Sequence, residues 1–200
     1  MINKFAQAVS FLLGPIFILL PIPFILVERF SGSYYYALKW TIFSYAFILS
    51  VALFVVLGVM FGFFTNFNVS KREQRPLLFS FSAFVMFFYL ISLFVLDAPK
   101  ILFVALFAIV LGLVAIVVIN RWVKASIHLA TLTSVALFIG IIYKGPYFLL
   151  LFLIPLLAWS RVRVKGHTLT ETAVGAILGA LITIFVYTMS RQFLLGIIYD

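Results

Sequence analysis

Two histidines, a glutamate and a scattered set of lysines and arginines are the residues of this 200-residue chain best suited to chemistry. Lys71 and Arg75 stand four apart, as do Lys124 and His128, and as do His167 and Glu171. On a helix that spacing turns both side chains of a pair to one face. Brought together, Lys71, Arg75, Lys124, Arg161 and Arg163 would supply cations beside a serine, both of the chain's imidazoles and one carboxylate. Converging guanidinium groups in a recess of low dielectric hold a multiply charged oxyanion, and phosphate suits them because arginine binds it bidentately. One imidazole could then attack phosphorus while a carboxylate fixes its other ring nitrogen. Glu171 is spaced to do this for His167, which leaves His128 to protonate a leaving alkoxide and then activate water.

The elements that must position these residues are set by composition. The chain is 66% hydrophobic and 10% charged, with a mean hydropathy of +1.29. A water-soluble fold of this size would have to expose large apolar patches to carry such values. Soluble oxidoreductases, nucleic-acid readers and disulfide-stapled secreted domains are excluded on that ground, the second despite a pI near 10.0. With no cysteine, thiolate chemistry, disulfides and cysteine-ligated zinc are excluded too. The net charge of +9 suits contact with anionic lipid headgroups. A span takes ~20 apolar residues, and apolar runs predict seven of them, at 5–27, 39–65, 77–96, 101–120, 124–143, 146–161 and 167–190. Residues 1–200 therefore read as a single integral membrane domain, an all-α polytopic bundle. The first run lacks a signal-peptide cleavage pattern and reads as a retained span, while Pro15, Pro21 and Pro23 predict a bend in it.

The connectors differ in kind. Asp97 to Lys100 and Lys144 to Pro146 are plain tight turns, whereas 70–76, 121–128 and 160–167 are polar and basic. Two predicted spans separate each basic connector from the next, so all three share one membrane face. The apolar stretch from Leu129 to Tyr143 is too short to cross the bilayer. Its helix is therefore expected to start near Lys124 and to carry His128 below the headgroups, in a recess where ionisable groups mark a functional site.

At these positions the chain resembles the type 2 phosphatidic acid phosphatases, which share a fold with vanadium haloperoxidases. The family's third motif is Ser-Arg, five residues, His, three residues, Asp. Ser160-Arg161, five residues, His167, three residues and Glu171 match it with the acid one methylene longer. The second motif, Pro-Ser-Gly-His, is met by Ala125-Ser126-Ile127-His128, which keeps Ser and His. The first, Lys, six residues, Arg-Pro, keeps Arg75-Pro76 but has Asn68 at the lysine position, with Lys71 the nearest substitute. The resemblance covers residues 71–179 and implies an acid phosphatase/haloperoxidase-like core. It implies a metal-independent phosphohydrolase without cofactor, working through a phosphohistidine on His167, with Glu171 orienting it and His128 as acid and base. Lys71, Arg75, Lys124, Ser126, Ser160 and Arg161 are the implied substrate-binding set. The implied substrate is a lipid phosphate, of the phosphatidic acid, phosphatidylglycerophosphate or polyprenyl diphosphate class, reached from surrounding membrane lipid, and the implied location is the cell membrane, crossed several times.

Other readings fit less of the chain. A prenyltransferase would need aspartate-rich magnesium sites, and Asp97 and Asp200 are the only aspartates. A non-catalytic lipid-phosphate binder or an anion transporter would use the same basic recess, but no duplicated halves are visible. Gly58/Gly62 and Gly175/Gly179 read as helix-packing contacts. The second pair extends a stripe from His167 through Glu171, and a neighbouring helix is expected to pack there and fix the pair's geometry. Trp40, Trp122 and Trp159 fall at predicted span ends, as interfacial anchors do. Counting the N-terminus on the motif face, that face holds nine lysines and arginines against five, but setting aside Lys71, Arg75, Lys124 and Arg161 leaves five on each. Charge alone therefore does not orient the bundle.

Overall fold

A computed structural model describes residues 2–199, with side chains through Arg191. Every element among the described residues is helical. In chain order they are α1 (Ile2–Leu12), α2 (Pro15–Leu19), α3 (Ile22–Ser31), α4 (Tyr34–Met60), α5 (Arg75–Val95), α6 (Lys100–Ile119), α7 (Ile127–Tyr143), α8 (Leu153–Arg163) and α9 (Leu169–Tyr199). Short 3₁₀ segments at Arg72–Gln74 and Gly145–Phe152 lead into α5 and α8. Five stretches are long and apolar enough to cross a membrane, or up to six if the bent pair Ile2–Leu12 and Pro15–Ser31 is one span. The remaining expected span is α7, apolar but only 17 residues long. The described residues are all-α, and the length and apolarity of their helices are compatible with a multi-pass membrane protein.

The chain divides into two compact units, one built from Met1–Ile18 and Val114–Arg191, the other from Leu19–Leu113 with the C-terminal residues. In the second unit α3 packs on α4 and α4 on α5. Gly32, at φ +63°, closes α3 with its N–H on Glu28 O, and Ser33 caps α4 by accepting from Tyr36 N. Phe54 and Phe81 stack at 3.9 Å between ring centroids, and Ser44 Oγ meets Tyr89 Oη at 2.7 Å. Gly58 and Gly62 do not form a helix-to-helix pair. α4 ends at Met60, Gly62 lies beyond it at φ +79°, and Gly58 makes room for the Phe64 ring, which a Cβ would overlap.

The other unit centres on α7, of which no residue is exposed. Leu129, Leu132 and Leu157 form its buried core, with Leu13, Ile18 and Ile154 packed around them. α1 and α7 both pack on α8. α9 lies against α7 through the stripe expected from the sequence. A Cβ on Gly175 would collide with Ser126 O and one on Gly179 with Ala130 O, so the two backbones are in direct contact. Ser134 Oγ donates to Gly179 O at 2.9 Å, and Thr183 Oγ1 donates to Ser134 O at 3.2 Å.

Two expected helical pairs are corrected. Ser126 is extended, at φ −79° and ψ 109°, and takes the N-cap position of α7. The helix thus starts at Ile127 rather than near Lys124, and Lys124 and His128 do not share a turn. Lys71 is also extended, at φ −76° and ψ 131°, and α5 begins only at Arg75. Pro76, in the first turn, needs no N–H there and favours a helix start at that point.

Candidate active site

Helix α8 delivers Ser160 and Arg161 in its last turns and then stops in a specific way. Lys165 N–H bonds Val162 O at 3.0 Å and Gly166 N–H bonds Arg161 O at 3.1 Å, the paired bonds of a Schellman termination. Lys165 occupies the left-handed position at φ +55°, where glycine is the usual residue. Gly166 serves a different need. Arg161 Nη2 would lie 2.7 Å from a Cβ at this position, so a side chain here would displace the guanidinium from the loop backbone. The next residue, His167, also sends its N–H to Arg161 O at 3.3 Å. One carbonyl thereby fixes the step from the arginine to the histidine.

Thr168, Leu169, Thr170 and Glu171 then form a capping box at the start of α9. Glu171 N–H donates to Thr168 Oγ1 at 3.2 Å, and Thr168 N–H donates to Glu171 Oε2 at 3.2 Å. The same Oε2 meets His167 Nδ1 at 2.9 Å. The helix start thus sets the carboxylate, and the carboxylate sets the ring. The His167 side chain is 2% exposed and that of Glu171 20%. With the carboxylate as acceptor the proton sits on Nδ1, so the lone pair is left on Nε2.

The segment before α7 is bound to the same place. Ser126 N–H donates to Glu171 O at 3.1 Å, and Lys124 Nζ donates to Gly166 O at 3.1 Å. Ser126 is fully buried, its hydroxyl does not cap the helix it precedes, and that hydroxyl has no hydrogen-bond partner among the described residues. A buried hydroxyl left in this state costs about 1–3 kcal/mol unless a ligand satisfies it. It stands at the start of α7, and the N-terminus of a helix favours an anion. His128, the second residue of the helix, is buried, and its Nε2 lies beside Gly14, 3.8 Å from where a Cβ would stand.

The structure therefore brings Lys124, Ser126, Arg161, His167 and Glu171 to one end of one unit, with His128 at the start of the same α7. Ser160 is there too, but its hydroxyl donates to Ala6 O at 2.6 Å, tying α8 to α1. Lys71 and Arg75 belong to the other unit, where Lys71 is exposed and Arg75 buried. Sequence reasoning missed the partners on α1. Arg161 Nη1 donates to Ser10 Oγ at 2.6 Å, and Arg163 Nε to Asn3 Oδ1 at 3.0 Å. It also missed the capping box, although Thr168 three residues before Glu171 is its ordinary signature.

A family model described as the PAP2 superfamily matches residues 122–194. The match spans the second and third motifs and every residue of this cluster that lies after α6. Over residues 122–194 the chain is thus similar to the PAP2 superfamily, the type 2 phosphatidic acid phosphatase class that the motif spacing resembles. The similarity suggests phosphatase activity on phosphate esters. No curated protein and no solved structure matches the chain.

Proposed function

We propose that this protein is a metal-independent phosphohydrolase of lipid phosphates, working through a phosphohistidine on His167. The observation that carries the reading is the buried His167 Nδ1 to Glu171 Oε2 contact at 2.9 Å, set in a loop shared with Arg161 and Lys124. In this reading Arg161, Lys124 and the Ser126 hydroxyl hold the phosphoryl oxygens. His167 Nε2 attacks phosphorus, forming the N–P bond as the ester P–O bond breaks. Glu171 stabilises the imidazolium that results. His128 gives its proton to the departing alkoxide, then takes one from the water that attacks the phosphohistidine and releases phosphate. The two lysine and arginine charges oppose the charge that builds on the transferring group. The substrate class, phosphatidic acid, phosphatidylglycerophosphate or a polyprenyl diphosphate, is drawn from the resemblance to the lipid phosphatases alone, and the cell membrane is the proposed location.

The test is phosphate release from a panel of these lipids by the purified chain in detergent with EDTA, beside His167→Ala. Release that survives EDTA and disappears in the variant is expected. A folded wild-type chain that binds phosphate but releases none from any lipid would replace this reading with that of a phosphate-binding membrane protein.

A further inference from the structure

Helix α1 lies outside the segment that matches the superfamily, yet it holds the arginine of the site. Asn3, Ala6 and Ser10 follow the i, i+3, i+7 pattern that places them on one stripe of the helix. Each of the three meets the end of α8. Ala6 O accepts from Ser160 Oγ at 2.6 Å, Ser10 Oγ accepts from Arg161 Nη1 at 2.6 Å, and Asn3 Oδ1 accepts from Arg163 Nε at 3.0 Å. The Arg163 bond is exposed, whereas Ser10 and Arg161 are 3% and 1% exposed.

From this geometry we infer that Ser10 is a positioning residue, which aims the Arg161 guanidinium at the phosphoryl oxygens of the substrate. The inference rests on the proposed phosphohydrolase reading. Two of the groups that hold the guanidinium are uncharged. Gly166 gives Nη2 a flat backbone to lie on, and the Ser10 hydroxyl accepts from Nη1. A carboxylate in the place of Ser10 would orient the arginine equally well but would cancel the charge that has to meet an anion. A hydroxyl oxygen fixes the plane without adding a countercharge of its own. Without it, a long side chain with several rotatable bonds regains rotamer freedom, and each phosphate contact must then order it anew.

The experiment uses the full chain in detergent and measures the affinity for inorganic phosphate and for orthovanadate, alongside KM and kcat for lipid phosphate. Ser10→Ala is compared with Ser10→Thr, which keeps the hydroxyl, and with Asn3→Ala, which removes the exposed bond to Arg163. Ser10→Ala is expected to weaken anion binding about tenfold and to raise KM with it, about the effect of one charge-assisted hydrogen bond. Ser10→Thr is expected to restore most of the affinity, and Asn3→Ala to leave it unchanged. Equal losses in Ser10→Ala and Asn3→Ala would reduce α1 to a packing element and overturn the inference, as would a folded Ser10→Ala that binds both anions like wild type. Ser10-dependent anion binding in a chain that hydrolyses nothing would uphold Ser10 while removing the hydrolase reading. A wild-type chain that binds neither anion would overturn both.

Discussion

The acid beside the nucleophile candidate is a glutamate, and the capping box explains how the longer side chain is used. From the third position of α9 its carboxylate reaches back to the Thr168 N–H while also meeting His167 Nδ1. Glu171→Gln keeps the size of the side chain and an acceptor oxygen but removes the charge that would stabilise an imidazolium. The expected outcome is a fall in kcat of about 10²–10⁴-fold with little change in phosphate affinity, checked by single-turnover and steady-state phosphate release. The His167 and Glu171 pairing was legible in the sequence because both ends lie four residues apart at a helix start. The partners of Ser160 and Arg161 were not. They come from α1, about 150 residues away along the chain, where Ala6 contributes only a backbone carbonyl and Ser10 one hydroxyl. Nothing in the type of either residue advertises such a bond.

At the scale of elements, α7 and α9 are joined with almost no side-chain material between them. Gly175 and Gly179 meet the carbonyls of Ser126 and Ala130, and Ser126 N–H bonds Glu171 O. The helix that carries the acid is thus fastened to the helix that carries His128. Gly179→Leu must push the α7 backbone away, since the obstructing atom is a carbonyl rather than a flexible side chain. A loss of about 1–3 kcal/mol in stability is expected, read as a lower midpoint of thermal unfolding in detergent, together with loss of phosphate release. Retention of both would contradict the close packing. This stripe could be read from small residues at four-residue spacing. The start of α7 could not be read from hydropathy, because the apolar run gives no boundary, yet Ser126 before Ile127 is an ordinary N-cap residue. In the same way Pro76 marked where α5 begins, and it outweighs the helical spacing of Lys71 and Arg75.

For the molecule as a whole, the absence of native cysteine allows single thiols to be placed without background. Arg121 and Lys165 lie at the site end of their unit, before α7 and after α8, while Lys144 lies in the turn between α7 and the 3₁₀ segment, and all three are exposed. Arg121→Cys and Lys165→Cys are expected to react with an impermeant maleimide from one side of sealed vesicles, and Lys144→Cys from the other. Labelling of all three from one side would mean that α7 and α8 do not cross. The return crossing also shows how a span can be fitted to a membrane without changing its residue count. Gly145–Arg163 has 19 residues, of which eight are wound as 3₁₀ and eleven as α. At ~2.0 Å per 3₁₀ residue and ~1.5 Å per α residue the stretch reaches about 33 Å, where a uniform α-helix would reach about 29 Å. Gly140 on α7 leaves the space that Phe148 of the tighter coil occupies. A change of pitch in the first half of the span therefore works as a spacer, and it sets the depth at which Ser160 and Arg161 arrive.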